Sequence, residues 1–80
     1  MITSSQIRAG RALVDVSQAA LAELAGVSLP TIKRMERLGP GRSAADNVEA
    51  VRRALEDAGV TFIDANGGGA GVRLRKETSQ

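Results

Sequence analysis

Apolar residues recur at helical spacing along most of the chain and shift to strand-like alternation only near its end. Ile7, Gly10 and Leu13 or Val14 mark the buried face of a first helix over about residues 4–13. Thr3 stands before it as N-cap with Gln6 three residues on, the spacing of a capping box. After the short connector Asp15-Val16, the positions Leu21, Ala25, Val27, Ile32 and Met35 supply the apolar faces of two short helices, over about 18–25 and 29–37. Ser17 and Ser28 each precede one of these, where a hydroxyl accepts from an unpaired backbone N–H. Gly26 falls where the first of the pair ends and a left-handed backbone is needed, and Ala22, one turn earlier, leaves room for a close crossing. Pro30 sits in the first turn of the second, where its missing N–H costs nothing, and Gly39-Pro40-Gly41 stops that helix.

Ser43 opens a fourth helix over about residues 44–58, with Val48, Val51, Leu55 and Ala58 as its stripe. Asp46 and Glu49 lie in its early turns, where negative charge suits the helix dipole, and Gly59 ends it. Val60-Thr61-Phe62-Ile63 and Val72-Arg73-Leu74-Arg75 then have strand character, the second alternating apolar and basic. The glycine-rich stretch between them, with Asn66-Gly67 as its best turn dipeptide, makes the pair a β-hairpin. The pattern thus predicts a mainly α fold: a compact four-helix domain over 1–58 containing a helix-turn-helix, a β-hairpin of the same domain over 59–76, and a frayed tail over 77–80. The sequence holds no internal repeat, and no second domain is expected.

Length and composition sharpen this picture. Eighty residues form one small domain whose core is marginal without help. Cysteine and histidine are absent, so disulfides and ordinary zinc sites are excluded and help is expected from oligomerisation. No run approaches the ~18 apolar residues of a membrane span. Met1-Ile2-Thr3-Ser4-Ser5 lacks the features of a signal peptide, so a cytoplasmic location is expected. The net charge of +2 and pI near 9.9 are weak indications of a polyanionic partner, but the distribution says more. Lys33, Arg34, Arg37 and Arg42 gather on and after the third helix, and Arg73, Arg75 and Lys76 near the C-terminus. Phe62 is the only aromatic residue, which excludes a base-stacking platform, so any nucleic acid bound is duplex.

Residues 6–38 resemble the phage-repressor-type (Cro/C1, XRE-like) helix-turn-helix regulators. The match includes Ser17-Gln18, Leu21-Ala22, Gly26-Val27-Ser28, Thr31-Ile32 and Arg34-Met35-Glu36. The fourth helix and the stretch Gly59-Val60 to Arg75 are similar to short bacterial members with a C-terminal strand pair, so the resemblance covers nearly the whole chain. It implies a repressor-like domain whose third helix enters the major groove. On that likeness Leu29, Pro30, Lys33 and Arg34 face the bases, while Gln18, Ser28, Thr31, Arg37 and Arg42 contact phosphates. The chemistry agrees: helix N-termini attract phosphate, arginine bonds guanine O6 and N7, and a small apolar group meets a thymine methyl. It also implies a partly buried ion pair between Arg11 and Glu36. Two departures are Leu29-Pro30, where many members carry Gln, Arg or Ser, and Val16, where many have an aromatic.

Plainer readings exist for each feature. A cluster such as Lys33, Arg34 and Arg37 can be an ordinary solvated face, Gln18 an exposed helix residue, and Arg11 and Glu36 surface charges. The Gly67–Gly71 stretch is no phosphate loop, since no Gly-Lys-Ser/Thr follows it. The expected function is sequence-specific binding of double-stranded DNA as a transcriptional regulator, a repressor or the controller of a mobile element. The competing reading is a protein-binding regulator, an antiactivator or antitoxin, which the apolar Leu29 and Pro30 allow. No enzyme and no cofactor are expected, because nothing resembles a nucleophile–base pair or a carboxylate cluster. A homodimer is expected, joined through the hairpin by Val60, Phe62, Val72 and Leu74; the alternative is a hairpin folded back on its own fourth helix.

Overall fold

Thr3 takes an extended backbone, and its hydroxyl accepts the Gln6 N–H at 3.1 Å while the Gln6 carboxamide oxygen accepts the Thr3 N–H at 2.8 Å. This reciprocal pair satisfies two donors and launches α1, Ser4–Val14. In this computed structural model, which describes residues 2–75, three helices follow: α2 (Gln18–Ala25), α3 (Leu29–Leu38) and α4 (Ala45–Ala58). A 3-10 turn, Pro40–Arg42, separates α3 from α4, and strands β1 (Val60–Ile63) and β2 (Gly71–Leu74) complete the chain. The fold is mainly α with a two-stranded antiparallel hairpin, as the periodicity predicts. Lys76 and the 77–80 tail lie outside the described residues. Among those described, no helix is long and apolar enough to cross a membrane.

The serine caps act as their positions suggest. Ser17 accepts the Ala20 N–H at 3.0 Å and Ser28 the Thr31 N–H at 3.2 Å. Gly26 closes α2 with φ at 71°, so three residues, Gly26 to Ser28, turn the chain from α2 into α3. Ser43 differs from expectation. Its own N–H donates to the Pro40 carbonyl at 2.9 Å, which holds it in the exit of the 3-10 turn, and Ala44 occupies the N-cap position of α4 with no side-chain cap. The Ser43 hydroxyl is buried and has no hydrogen-bond partner among the described residues.

Ile7, Leu21, Ile32, Met35, Val51, Leu55 and Val60 are fully buried, so all four helices and β1 meet in one core. On α1 the inward residue beyond Gly10 is Val14, with Leu13 turned outward. On α4 Ala54 joins Val48, Val51 and Leu55, while Ala58 is exposed where Val60 takes over the burial.

The hairpin lies on α1 and α4 of its own chain. Val60 pairs with Leu74 and Phe62 with Val72 in the strand register, and Val60, Phe62 and Val72 pack on the core. Gln6 anchors the base of the loop: its Nε2 donates to the carbonyls of Ile63 at 3.2 Å and Gly71 at 2.9 Å. The Arg52 guanidinium stands 5.9 Å from the centre of the Phe62 ring. Val60, 2% exposed, is therefore buried in its own chain rather than at a dimer contact, while Phe62 and Val72 are half-buried against the core and Leu74 is 55% exposed.

Gly10 of α1 lies against Leu55 and Val60. A Cβ there would lie 3.5 Å from Leu55 Cδ1 and from Val60 Cγ1, which is ordinary contact. Gly10→Ala is therefore expected to stabilise the domain by about 0.5–1 kcal/mol, through lower backbone entropy in the unfolded chain. Urea denaturation measures this; a loss of stability would mean that the hairpin needs the glycine.

Candidate nucleic-acid interface

The apolar spacing of α3 turns Ile32 and Met35 inward, and Glu36 shares that face because it lies four residues after Ile32. Glu36 is the only acid within Leu29–Leu38 and is just 4% exposed. A buried carboxylate requires partners, and α1 supplies them. Arg11 grips it as a fork, Nε to Oε2 at 2.6 Å and Nη2 to Oε1 at 3.0 Å, and Arg11 Nη1 also donates to the Val16 carbonyl at 3.0 Å. Gln18 Nε2 donates to Oε1 at 3.0 Å. One turn before Arg11, Arg8 Nη1 donates to the backbone carbonyl of Glu36. The hydrogen bond with Glu36 holds the Arg11 guanidinium above its ordinary pKa, with burial opposing and the carboxylate charge adding to the rise. A raised pKa in the folded state means that, while Glu36 is ionised, titration of Arg11 itself removes this stabilisation only in strong alkali.

The outer face of α3 follows from that arrangement. Its one anion is neutralised inside, while Lys33, Arg34 and Arg37 stand exposed beside Pro30. The face thus carries three cations and no anion.

The remaining expected site residues fall into three groups. Gln18 starts α2 and is half-buried. Because a carboxylate only accepts, the Gln18 amide nitrogen must face Glu36, which leaves its second N–H and the unpaired backbone N–H groups of the helix start for an outside acceptor. The Ser28 hydroxyl is engaged with the Thr31 N–H and bonds the Thr31 hydroxyl at 2.8 Å, so these two side chains brace the start of α3. Leu29 packs against the core, one turn before Ile32 on the inward stripe. Leu29, expected to face the bases, is thus half-buried, with only part of its surface left on the outer side. Arg42 lies in the 3-10 turn after α3, and its side chain is outside the description.

Sequence reasoning overlooked Arg8, the bond from Gln18 to Glu36 and the anchoring role of Gln6. A signal existed for the first two. Glu36 shares the stripe of Ile32 and Met35, so it points inward and needs donors, and Arg8 and Arg11 lie one turn apart on the neighbouring helix. No protein-family model matches the chain, and no curated protein matches it.

Proposed function

We propose that this chain is a sequence-specific, double-stranded DNA-binding transcription regulator of the Cro/C1 type, a cytoplasmic repressor or mobile-element controller. The observation that carries the reading is the outer face of α3, whose charged side chains are all cations because its only acid is turned inward onto Arg11. A helix fits the major groove of duplex DNA, and exposed arginine there can bond guanine in two places. Arg34 and Lys33 read bases, Pro30 offers an apolar contact, and Arg37 and the Gln18 amide hold phosphates. The apolar surface on α3 that favours a protein partner comprises Pro30, part of Leu29 and the exposed Leu38, and the three cations among them make the DNA reading preferred. The regulator acts as a homodimer that places one α3 in each half-site.

Selection of bound sequences from a random duplex pool tests the proposal. A palindromic motif is expected. On that site Arg34→Ala should lose about 1–3 kcal/mol of discrimination at one base position. Gln18→Ala should weaken all sequences alike. A pool that yields no motif, or an Arg34→Ala protein that binds its best site as tightly and as selectively as the parent, overturns the assignment. A monomer by mass measurement on the selected duplex would remove the homodimer alone.

A further inference from the structure

We propose that Asn66-Gly67, in the hairpin loop, is a site of spontaneous covalent rearrangement that converts the Asn66 amide into aspartyl and isoaspartyl linkages. The chemistry needs only the chain and water. The Gly67 backbone nitrogen gives up its proton to solvent and attacks the Asn66 side-chain carbonyl carbon. The bond to the amide nitrogen breaks, ammonia departs with a proton, and a five-membered succinimide remains. Water then opens the ring at either carbonyl. One route leaves an ordinary aspartyl residue, and the other leaves an isoaspartyl link whose main chain runs through Cβ. No oxidant or reductant is involved.

Three features place Asn66 in the right setting. Residues 64–70 are exposed throughout, so solvent base and water reach the loop. Gly67 has no side chain to obstruct ring closure, and nothing lies within 4 Å of the place a Cβ would occupy. Its φ of +83° also makes glycine the favoured residue there. Among the described residues no hydrogen bond holds the Gly67 N–H, whereas the Asn66 N–H donates to the Gly68 carbonyl at 3.2 Å and folds the loop around it.

Asn47, the chain's other asparagine, provides the contrast. The residue after it is the β-branched Val48, which is 9% exposed and whose N–H donates to the Ala44 carbonyl at 3.1 Å in the first turn of α4. Its nucleophile is engaged and its backbone fixed, so the same ring cannot close. The rearrangement at Asn66 takes the net charge from +2 to +1, and the isoaspartyl route lengthens the loop whose base Gln6 grips. It leaves α3 untouched, so the inference stands apart from DNA binding.

The test is incubation of the folded, full-length protein at mildly alkaline pH, followed by ion exchange and peptide mapping. An acidic form should accumulate, with the mass change of NH2 replaced by OH confined to Asn66 and with label from a methyltransferase specific for isoaspartyl residues. Asn47 should stay intact. Asn66→Gln should abolish the acidic form, and Gly67→Ala should slow it severalfold. Equal change at Asn47 and Asn66, or an Asn66 that survives conditions under which a free Asn-Gly peptide is converted, overturns the proposal.

Discussion

Arg11→Ala is expected to destabilise the domain by about 3–5 kcal/mol, the usual result of removing one member of a buried ion pair. The Glu36 carboxylate is 4% exposed and would retain only the Gln18 amide as a side-chain donor. Glu36→Ala should cost less, because the Arg11 side chain is 22% exposed and can turn its charge toward water. The contrast between the two variants separates desolvation of the acid from loss of the contact itself. Arg11→Met combined with Glu36→Leu should recover much of the deficit, since apolar groups of similar volume replace a buried pair at little cost. Against a typical total of about 5–15 kcal/mol, the single loss is a large share of the domain's stability. Thermal melting followed by circular dichroism decides the matter. Unchanged melting of both single variants would place these side chains in water.

Deletion of residues 60–80 should abolish cooperative unfolding of the helical part. Val60 is 2% exposed and touches the region of Gly10 and Leu55, so its burial alone contributes about 1.5–3 kcal/mol. Phe62 and Val72 add partial burial, and Gln6 would be left with two unpaired N–H donors near an opened core. A small core has little reserve against such a loss. Urea titration of the truncated form should show a shallow, early transition. A truncated domain as stable as the full chain would show that the hairpin is an ornament. The experiment differs from a mass measurement, because the hairpin's apolar face serves its own helices whether or not two chains associate.

The bounds of the helices were legible because they depend on local chemistry. Thr3, Ser17 and Ser28 accept N–H groups within a few residues, and Gly26 and Gly59 take left-handed backbones that need no distant partner. Ser43 was misread for the same reason: it has the chemistry of a cap, but the 3-10 turn before it fixes its backbone one residue too early. The end of α1 was read one residue early, since its left-handed residue is Asp15, with φ of 57°, and no glycine marks it. What the hairpin packs against was also illegible. Alternation says that Val60, Phe62 and Val72 seek burial, and is silent on whether the covering surface belongs to the same chain. Within the candidate site, the exposed positions Pro30, Lys33, Arg34 and Arg37 follow from helical period alone. Leu29 does not, because the first turn of a helix can lie on either side of an apolar stripe.

Gln6 joins what the chain order keeps apart. One end of its carboxamide accepts the N–H at the first capping position, and the other donates to both strands at the hairpin's loop, 57 and 65 positions away. Chain ends ordinarily fray on their own, and their amides exchange with solvent ahead of the interior. Here the first turn of α1 cannot loosen without releasing Ile63 and Gly71, and the strands cannot lift without freeing the cap. In amide hydrogen exchange the Gln6 N–H and the strand amides are therefore expected to open as one cooperative unit, with the start and the end of the described chain sharing a single protection level.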